Sequence, residues 1–340
     1  MALCIFISLS CHDSDQPCVT CPTDHTNDTT SHAWTFALTR FGDPSVGSCS
    51  LYDVAIVNDS LAYAVGQAYG RDSLGQVDYQ PYSLWIWQRG IWTMHKVPYY
   101  YMGQALYGPI FSVLAYGEGE VWFGIGNLIH WTGGQFVPVE VGNNMSGRIN
   151  KMWGTSPSHF YAVGDNGSIA LYDQGGWQKI AAGTSLNFYD IYGSGGLTLA
   201  VASNPSTGAD RKIVLLEGNT AKPIPDNPID VPLYSVWFVP NDKYYVAGYG
   251  IYESGAFDNA WTSDPIDSLK NAIGCIRGNS TNDVFAAGQT ILHYNGKTWH
   301  DYSGQTSLQN GIFASVAVRG KLVIAVGSDG AYGVAAIGRR

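Results

Sequence analysis

The sequence is short of charge. Of its 340 residues, 18 are Lys or Arg and 27 are Asp or Glu, about half the charged share of an ordinary soluble domain. The formal net charge is −9, and the largest basic cluster is the terminal Arg339-Arg340 pair. That balance argues against nucleic acid or an anionic membrane surface as a partner. No apolar run reaches the roughly 18 residues of a membrane span, and no amphipathic helical pattern of about ten residues or more is present. The GxSxG, HExxH and P-loop signatures are missing, which removes the commonest motif-bearing hydrolases and nucleotide-binding enzymes. The six cysteines make no disulfide framework, since Cys4 and Cys11 fall in an N-terminal apolar segment and only Cys18, Cys21, Cys49 and Cys275 remain. CVTC at 18–21 has CxxC spacing with His12 and His25 nearby, a pattern that can hold zinc or form a redox pair. No strand or helix pattern surrounds it to orient the ligands, so incidental cysteines in a tether are the favoured reading. No metal and no cofactor are expected.

What the chain has in quantity is Gly, at 41 residues, with 22 Tyr and 11 Trp. Such a composition suits short strands joined by tight turns. The stretch WGTSPSHFYAVGDNGSIALYDQGGWQKI (153–180) returns from Ile273 as IGCIRGNSTNDVFAAGQTILHYNGKTW. In both, a first run ends in Gly (Gly154, Gly278), a polar turn follows, then FYAVG or VFAAG, then IALY or ILHY, then a Gly-containing turn and a Trp (Trp177, Trp299). Weaker copies begin at Leu51, Phe111, Phe188, Leu233 and Phe313, giving seven in all. The spacing is mostly about 40 residues, the length filled by four short strands and their turns. One such unit cannot bury both its faces, whereas units stacked around an axis bury one another. The middle runs (YAVG, YYVAG, LVIAVG) are continuously apolar rather than alternating, as expected of strands covered on both sides.

The pattern therefore predicts an all-β, seven-bladed β-propeller of four-stranded antiparallel blades. The seventh copy stops after VAAIG, and SHAWTFALTRFG near the N-terminus resembles the missing fourth strand. Residues 33–40 are predicted to close the last blade. The domain organisation that follows is a signal-like segment over 1–11, a flexible tether over 12–32 and a single propeller over 33–340.

The repeat WG-T/S-turn-Y/F-A-V-G-D-x-G-x-I resembles that of exported bacterial β-propellers of Bacteroidota-like genomes, loosely akin to Asp-box and kelch propellers. True Asp-box, kelch and WD signatures are absent from it. The resemblance spans about residues 33–340 and implies a fold rather than an activity. MALCIFISLSC similarly resembles the tail of a bacterial lipoprotein signal, which implies export, lipidation at Cys11 and a position in the cell envelope or at the cell surface.

In a four-stranded blade the turns alternate between two faces. One face is expected to carry only short turns (TSPSH, PNDK, NSTND). The other carries the insertions 68–82, 98–109, 203–211 and 223–232, and function is expected there. These loops concentrate Tyr69, Tyr79, Tyr82, Tyr99, Tyr100, Tyr101 and Tyr107, whose rings and hydroxyls suit a glycan or a protein partner. The alternative reading of the same residues is that many of them pack the loops onto the propeller. Residues preceding the first strands would ring the channel mouth: Pro109, Arg148, Asn187, Pro232, Asn271 and Asn310. Arg148 and Asn150 with Lys270 and Asn271 would suit a small polar ligand. Acids on that face are Asp72, Asp78, Asp226 and Asp230, which leaves an extracytoplasmic glycoside hydrolase or lyase as the rival to a non-catalytic, monomeric binding module. His130 and His293 occupy matching third-strand positions, which marks them as structural.

Overall fold

Seven four-stranded antiparallel sheets make up the computed structural model, together with one two-stranded hairpin. It describes residues 30–204, 210–264 and 272–340, with the side chain of Tyr101 left aside. From the inner strand outward, blade 1 is Ser50–Asn58, Leu61–Arg71, Val77–Gln88 and Ile91–His95. Blade 2 is Ser112–Gly117, Glu120–Gly124, Leu128–Trp131 and Phe136–Val139. Blade 3 is Ile149–Ser156, His159–Gly164, Ser168–Asp173 and Gly176–Ala181. Blade 4 is Asn187–Ser194, Leu197–Ser203, Arg211–Glu217 and Thr220–Ile224. Blade 5 is Leu233–Val239, Lys243–Gly248, Gly250–Ser254 and the two-residue Thr262–Ser263. Blade 6 is Ile273–Ser280, Asp283–Gly288, Ile291–Tyr294 and Trp299–Asp301. Blade 7 takes Gly311–Arg319, Leu322–Asp329 and Tyr332–Arg339 from the C-terminus and Thr35–Phe41 from the N-terminus.

The closing strand pairs in register from Thr35↔Arg339 to Phe41↔Gly333. The predicted seven-bladed ring and its closure by a strand from each end are therefore present, with the strand at 35–41 rather than 33–40. Closure satisfies an edge that would otherwise be open for pairing with another chain. The chain is anchored before the strand as well. Thr30 and His32, which read as tether, dock on blade 6: Thr30 Oγ1 donates to Asn282 O at 2.5 Å, and the Tyr302 hydroxyl donates to His32 O.

The repeated residues have particular packing tasks. Second strands such as Asp283–Gly288 are buried along their whole length, which is why they read as unbroken apolar runs. The Gly that ends them meets the irregular start of the blade's own first strand. A Cβ on Gly164 would lie 1.9 Å from Arg148 O, beside the register shift between Ile149 and Lys151. The Gly that closes the first strand is hemmed in differently from blade to blade: at Gly154 a Cβ would strike Phe160 of its own blade, whereas at Gly193 and Gly278 a ring of a neighbouring blade intervenes. The Trp153 ring lies against Gly193 and the Trp237 ring against Gly278, each where a Cβ would intrude. Core clusters accordingly straddle neighbouring blades, as where Phe285, Ala287 and Ile291 of blade 6 meet Phe313, Val316 and Val323 of blade 7.

The face carrying the inner-to-second and third-to-outer strand turns is mostly plain, as expected. Blade 5 departs from that: its third-to-outer connection, 255–261, is long and sits on the plain face. It ends at Trp261, which is buried and donates Nε1 to Pro225 O at 3.1 Å. The opposite face carries the insertions. The 98–109 segment folds into the hairpin Tyr99–Tyr101/Gln104–Leu106, and the 68–82 segment extends the central strands of blade 1 into a projecting ribbon closed at Arg71↔Val77.

Candidate functional site

Three features share the elaborated face or open onto it: a hairpin-bounded groove, the channel mouth and the belt beneath that mouth. The groove lies between the 99–106 hairpin and blade 2. It has a volume of about 310 Å³ and is lined by Tyr99, Tyr100, Leu106, Pro109, Phe111 and Ile125, among others. At its edge Asn127 Nδ2 donates to Glu140 Oε2 at 2.8 Å. An apolar trough with a polar rim is the arrangement of a protein-contact patch.

The channel is sealed by one residue from the same position of each inner strand: Asp53, Ser112, Lys151, Asp190, Ser235, Cys275 and Ser315. Asp53 accepts from Val54 N, Val113 N, Ser315 Oγ and Lys151 Nζ. Asp190 accepts from Ile191 N, Val236 N and Ser235 Oγ, and bidentately from Arg277, with NH2 at 2.7 Å and NH1 at 2.9 Å. Burial alone would push the Asp190 carboxyl up, but the adjoining Arg277 more than offsets it and holds the group below the usual carboxylate range. Burial likewise works against the Arg277 charge, and Asp190 reverses that effect. On the plain-face side of the belt is a vestibule of about 400 Å³ walled by Trp153, Tyr192 and Trp237.

Above the belt the mouth is aromatic. Tyr52 and Phe111 stand with centroids 5.3 Å apart, and the Arg148 guanidinium lies 5.0 Å from the Phe111 centroid. On the other side Tyr189 and Tyr234 meet edge to face at 5.3 Å, and Tyr249 continues the row at 6.3 Å from Tyr234. Blade 3 supplies the polar sector. Asp165, from the DNG turn, accepts from Arg148 N, Arg148 Nε and Asn150 Nδ2. Burial raises its pKa, yet Asn150 and Arg148 together keep it below the ordinary value. Asn166 and Gly167 both take positive φ, 56° and 69°, which the tight turn requires. A turn that reads only as a scaffold feature thus also orients Arg148 and Asn150.

The sequence-predicted site residues are not brought into one place. Tyr79 and Tyr100 are exposed on the two hairpins, whereas Tyr69, Tyr82, Tyr99 and Tyr107 are half-buried. Tyr69 packs its ring on Gly47, Tyr82 lies beneath Lys96 at 5.4 Å, and Tyr99 packs onto the cluster joining blades 1 and 2. Tyr101 lies on the hairpin backbone. Arg148 and Asn150 stand at the mouth, while Asn187 uses its Oδ1 to accept from Asn166 N at 2.9 Å. Pro109 belongs to the groove, and Asn310 O caps the Gly330 turn. Cys11, Lys270 and Asn271, with Cys18, Cys21, His12 and His25, lie outside the described residues.

The acids are dispersed too. Asp72 accepts from Leu74 N and Gln76 N in its own turn, Asp78 pairs with Lys96, and Asp226 pairs with Arg211 at 3.2 Å; Asp230 is exposed. His293 is buried and bonded to Asp283 at 2.9 Å, and His130 to Glu120 at 2.6 Å, matching ties between second and third strands. The mouth residues Tyr52, Tyr189 and Tyr234 were not among the sequence candidates. A signal for them exists: LYD, FYD and LYS recur at the same place in three first strands.

No family model matches the chain, and no curated protein matches it. Solved structures do. The chain is similar to YCF48 bound to D1 peptide at TM-score 0.65 and 16% identity, covering 89% of this chain and 96% of that one. The likeness is one of fold. The WD40 β-propeller domain of Doa1 gives TM-score 0.63 at 16% identity over 91% and 98% of the two chains. YCF48 from Cyanidioschyzon merolae gives 0.60 at 14% over 88% and 98%.

Proposed function

We propose that the chain is a non-catalytic binding propeller that takes a protein partner on its elaborated face. The observation that carries this reading is where apolar side chains are left in water. Leu74 is 83% exposed and Tyr79 81% on the 68–82 ribbon, and Met102 is 86% exposed on the 99–106 hairpin, where Tyr100 and Leu106 are exposed as well. Among the described large apolar side chains in solvent, only Tyr249 and Tyr332 lie outside blades 1 and 2 and these hairpins. Concentrated exposed apolar area next to an open groove is the mark of an interaction site. The engagement of Asp72, Asp78 and Asp226 in loop-shaping contacts favours binding over hydrolysis, because paired carboxyls must converge on a substrate to cleave a glycoside. A structural neighbour described as bound to a peptide supports the same direction.

The proposal extends to cellular placement. The lipoprotein-like N-terminus and the resemblance of the repeat to exported bacterial propellers favour a monomeric, exported protein anchored at the cell surface through Cys11. The test is affinity capture from the native host with the full-length chain and with Leu74→Ser/Tyr100→Ser/Met102→Ser. The expected result is a specific protein retained by the wild type and reduced about tenfold or more by the variant. Equal recovery by both, or retention of nothing, overturns the reading.

A further inference from the structure

We propose that the channel mouth is a second, separate binding site, a cup for one neutral sugar ring or the neutral end of a glycan chain. Its residues are not those of the hairpins or groove, and the inference does not depend on the protein partner proposed above.

The wall of the cup is aromatic at blades 1, 2, 4 and 5, formed by Tyr52, Phe111, Tyr189, Tyr234 and Tyr249, and polar at blade 3, where Asn150 and Arg148 stand. Such rings offer flat apolar area to the C–H face of a sugar and a hydroxyl at the edge. On the side of blades 6 and 7 the equivalent positions are Gly274 and Ala314, so the wall there is low. At Gly274 a side chain is excluded, since a Cβ would lie 2.8 Å from Phe313 O and 2.9 Å from Ala314 O. A ligand therefore has one open approach and meets aromatic rings on two arcs of the wall, with the polar blade 3 sector between them.

The charges decide what kind of ligand. Among the described residues every charged group bounding the cup is already paired: Arg148 with Asp165, Lys151 with Asp53, Arg277 with Asp190. These three pairs leave no net charge between them to recruit an ion or to repay the desolvation of one. Hydrogen-bonding capacity does remain. Among the described residues no group bonds the hydroxyls of Tyr189, Tyr234 or Tyr249, and Arg148 uses only Nε towards Asp165. Aromatic faces, free hydroxyls and guanidinium donors without net charge match a polyol rather than an anion or a purely apolar group.

Size restricts the ligand further. The cavity within the cup is about 50 Å³, well below the roughly 300 Å³ and more of pockets that enclose a whole small molecule. It admits the edge of a ring, with the rest resting on the aromatic rim. A chain end or a branch residue fits this better than the interior of a linear polymer.

The experiment is a glycan array with the full-length chain carrying neutral and anionic glycans, followed by titration calorimetry of the best neutral oligosaccharide. Tyr189→Ala, Tyr234→Ala and the hairpin variant Leu74→Ser/Tyr100→Ser/Met102→Ser are compared, with thermal melts to establish that each is folded. Should a tyrosine variant fail to fold, Tyr189→Phe and Tyr234→Phe keep the rings and remove only the hydroxyls. The expected result is binding of neutral glycans, weakened about tenfold or more by either Tyr→Ala and by a smaller factor in the Phe variants. The hairpin variant binds the glycan as the wild type does. The proposal is overturned by absence of neutral-glycan binding at millimolar concentration, by a preference for anionic glycans, or by wild-type affinity in the folded tyrosine variants. It is equally overturned if the tyrosine variants abolish capture of the protein partner, because the mouth would then belong to that interface.

Discussion

Asp190 and Arg277 are 87 residues apart and meet in a bidentate pair, buried at Asp190 and 13% exposed at the Arg277 side chain. Arg277→Met leaves the buried Asp190 charge unpaired and should cost about 3–5 kcal/mol, Asp190→Ala should cost less because Arg277 borders the vestibule, and replacing both with apolar groups should cost less than Arg277→Met alone. Urea titration of the two single variants and the double variant reads this directly. The acids give a sign for pH as well. Asp165, Asp190, Asp283 and Asp329 are all held below the ordinary carboxylate value of 3.8. A depressed folded pKa means stability that is complete above the unfolded value and is lost as the pH falls through the folded one. The contribution of these acids should leave the urea midpoint falling steadily below about pH 4. A midpoint unchanged at pH 3 would contradict this. Only half of the pair was legible beforehand: Asp53 and Asp190 recur in LYD and FYD, but nothing local in IGCIRG tells that Arg277 reaches across the channel. Repetition exposes what every blade needs, and long-range pairing is what single blades do differently.

Elements were the most legible scale, because a 40-residue period and an incomplete last copy jointly demand a ring closed by the other end of the chain. The closing strand carries that logic physically. Deleting residues 30–42 removes all seven pairs from Thr35↔Arg339 to Phe41↔Gly333 and bares the outer edge of blade 7; the melting temperature should drop steeply and the transition should lose cooperativity. An unchanged melt would contradict closure. The clasp ahead of that strand adds a pH dependence of its own. His32 Nδ1 lies 3.0 Å from His293 Nδ1, whose Nε2 serves Asp283, while Nε2 of His32 meets Thr298 Oγ1 at 3.1 Å. Burial first, then His293 and His300, lower the His32 pKa from 6.5. The neutral clasp is thus complete above about pH 6.5 and weakens as the pH falls through the lower folded value. Trypsin cleavage at Arg40 should accelerate between pH 7 and 5 in the wild type and less so in His32→Gln. What could not be read was the plain-face connection 255–261. Its Trp261 resembles the closing Trp of other blades, yet it packs inward because the outer strand of blade 5 is only Thr262–Ser263.

The two faces of the ring differ, and the direction of the closing strand assigns the termini to one of them. Thr35 pairs with Arg339, which also pairs with Leu322 just after the inner-to-second turn of blade 7, and Thr30 reaches Asn282 in the same turn of blade 6. Thr30, the first of the described residues, therefore lies on the plain face. The Leu74 ribbon, the Met102 hairpin and the Tyr234 mouth all stand on the opposite face. If an upstream segment tethers the protein to a membrane, the binding surfaces point away from it with no hinge required. Single cysteines at Leu74 and Met102, against one at Ser158 in a plain-face turn, test this on intact cells expressing the full-length chain. An impermeant maleimide of large size should label the first two several-fold faster than the third, while all three label equally in the detergent-released protein. Equal rates on cells, or faster labelling at Ser158→Cys, would refute the orientation. The difference between the faces was legible in loop lengths, since insertions are tolerated only where no neighbouring element is packed. Which exposed residues gather there was not, because Tyr69 and Tyr79 are alike in sequence and differ only in whether the 42–49 loop lies against them.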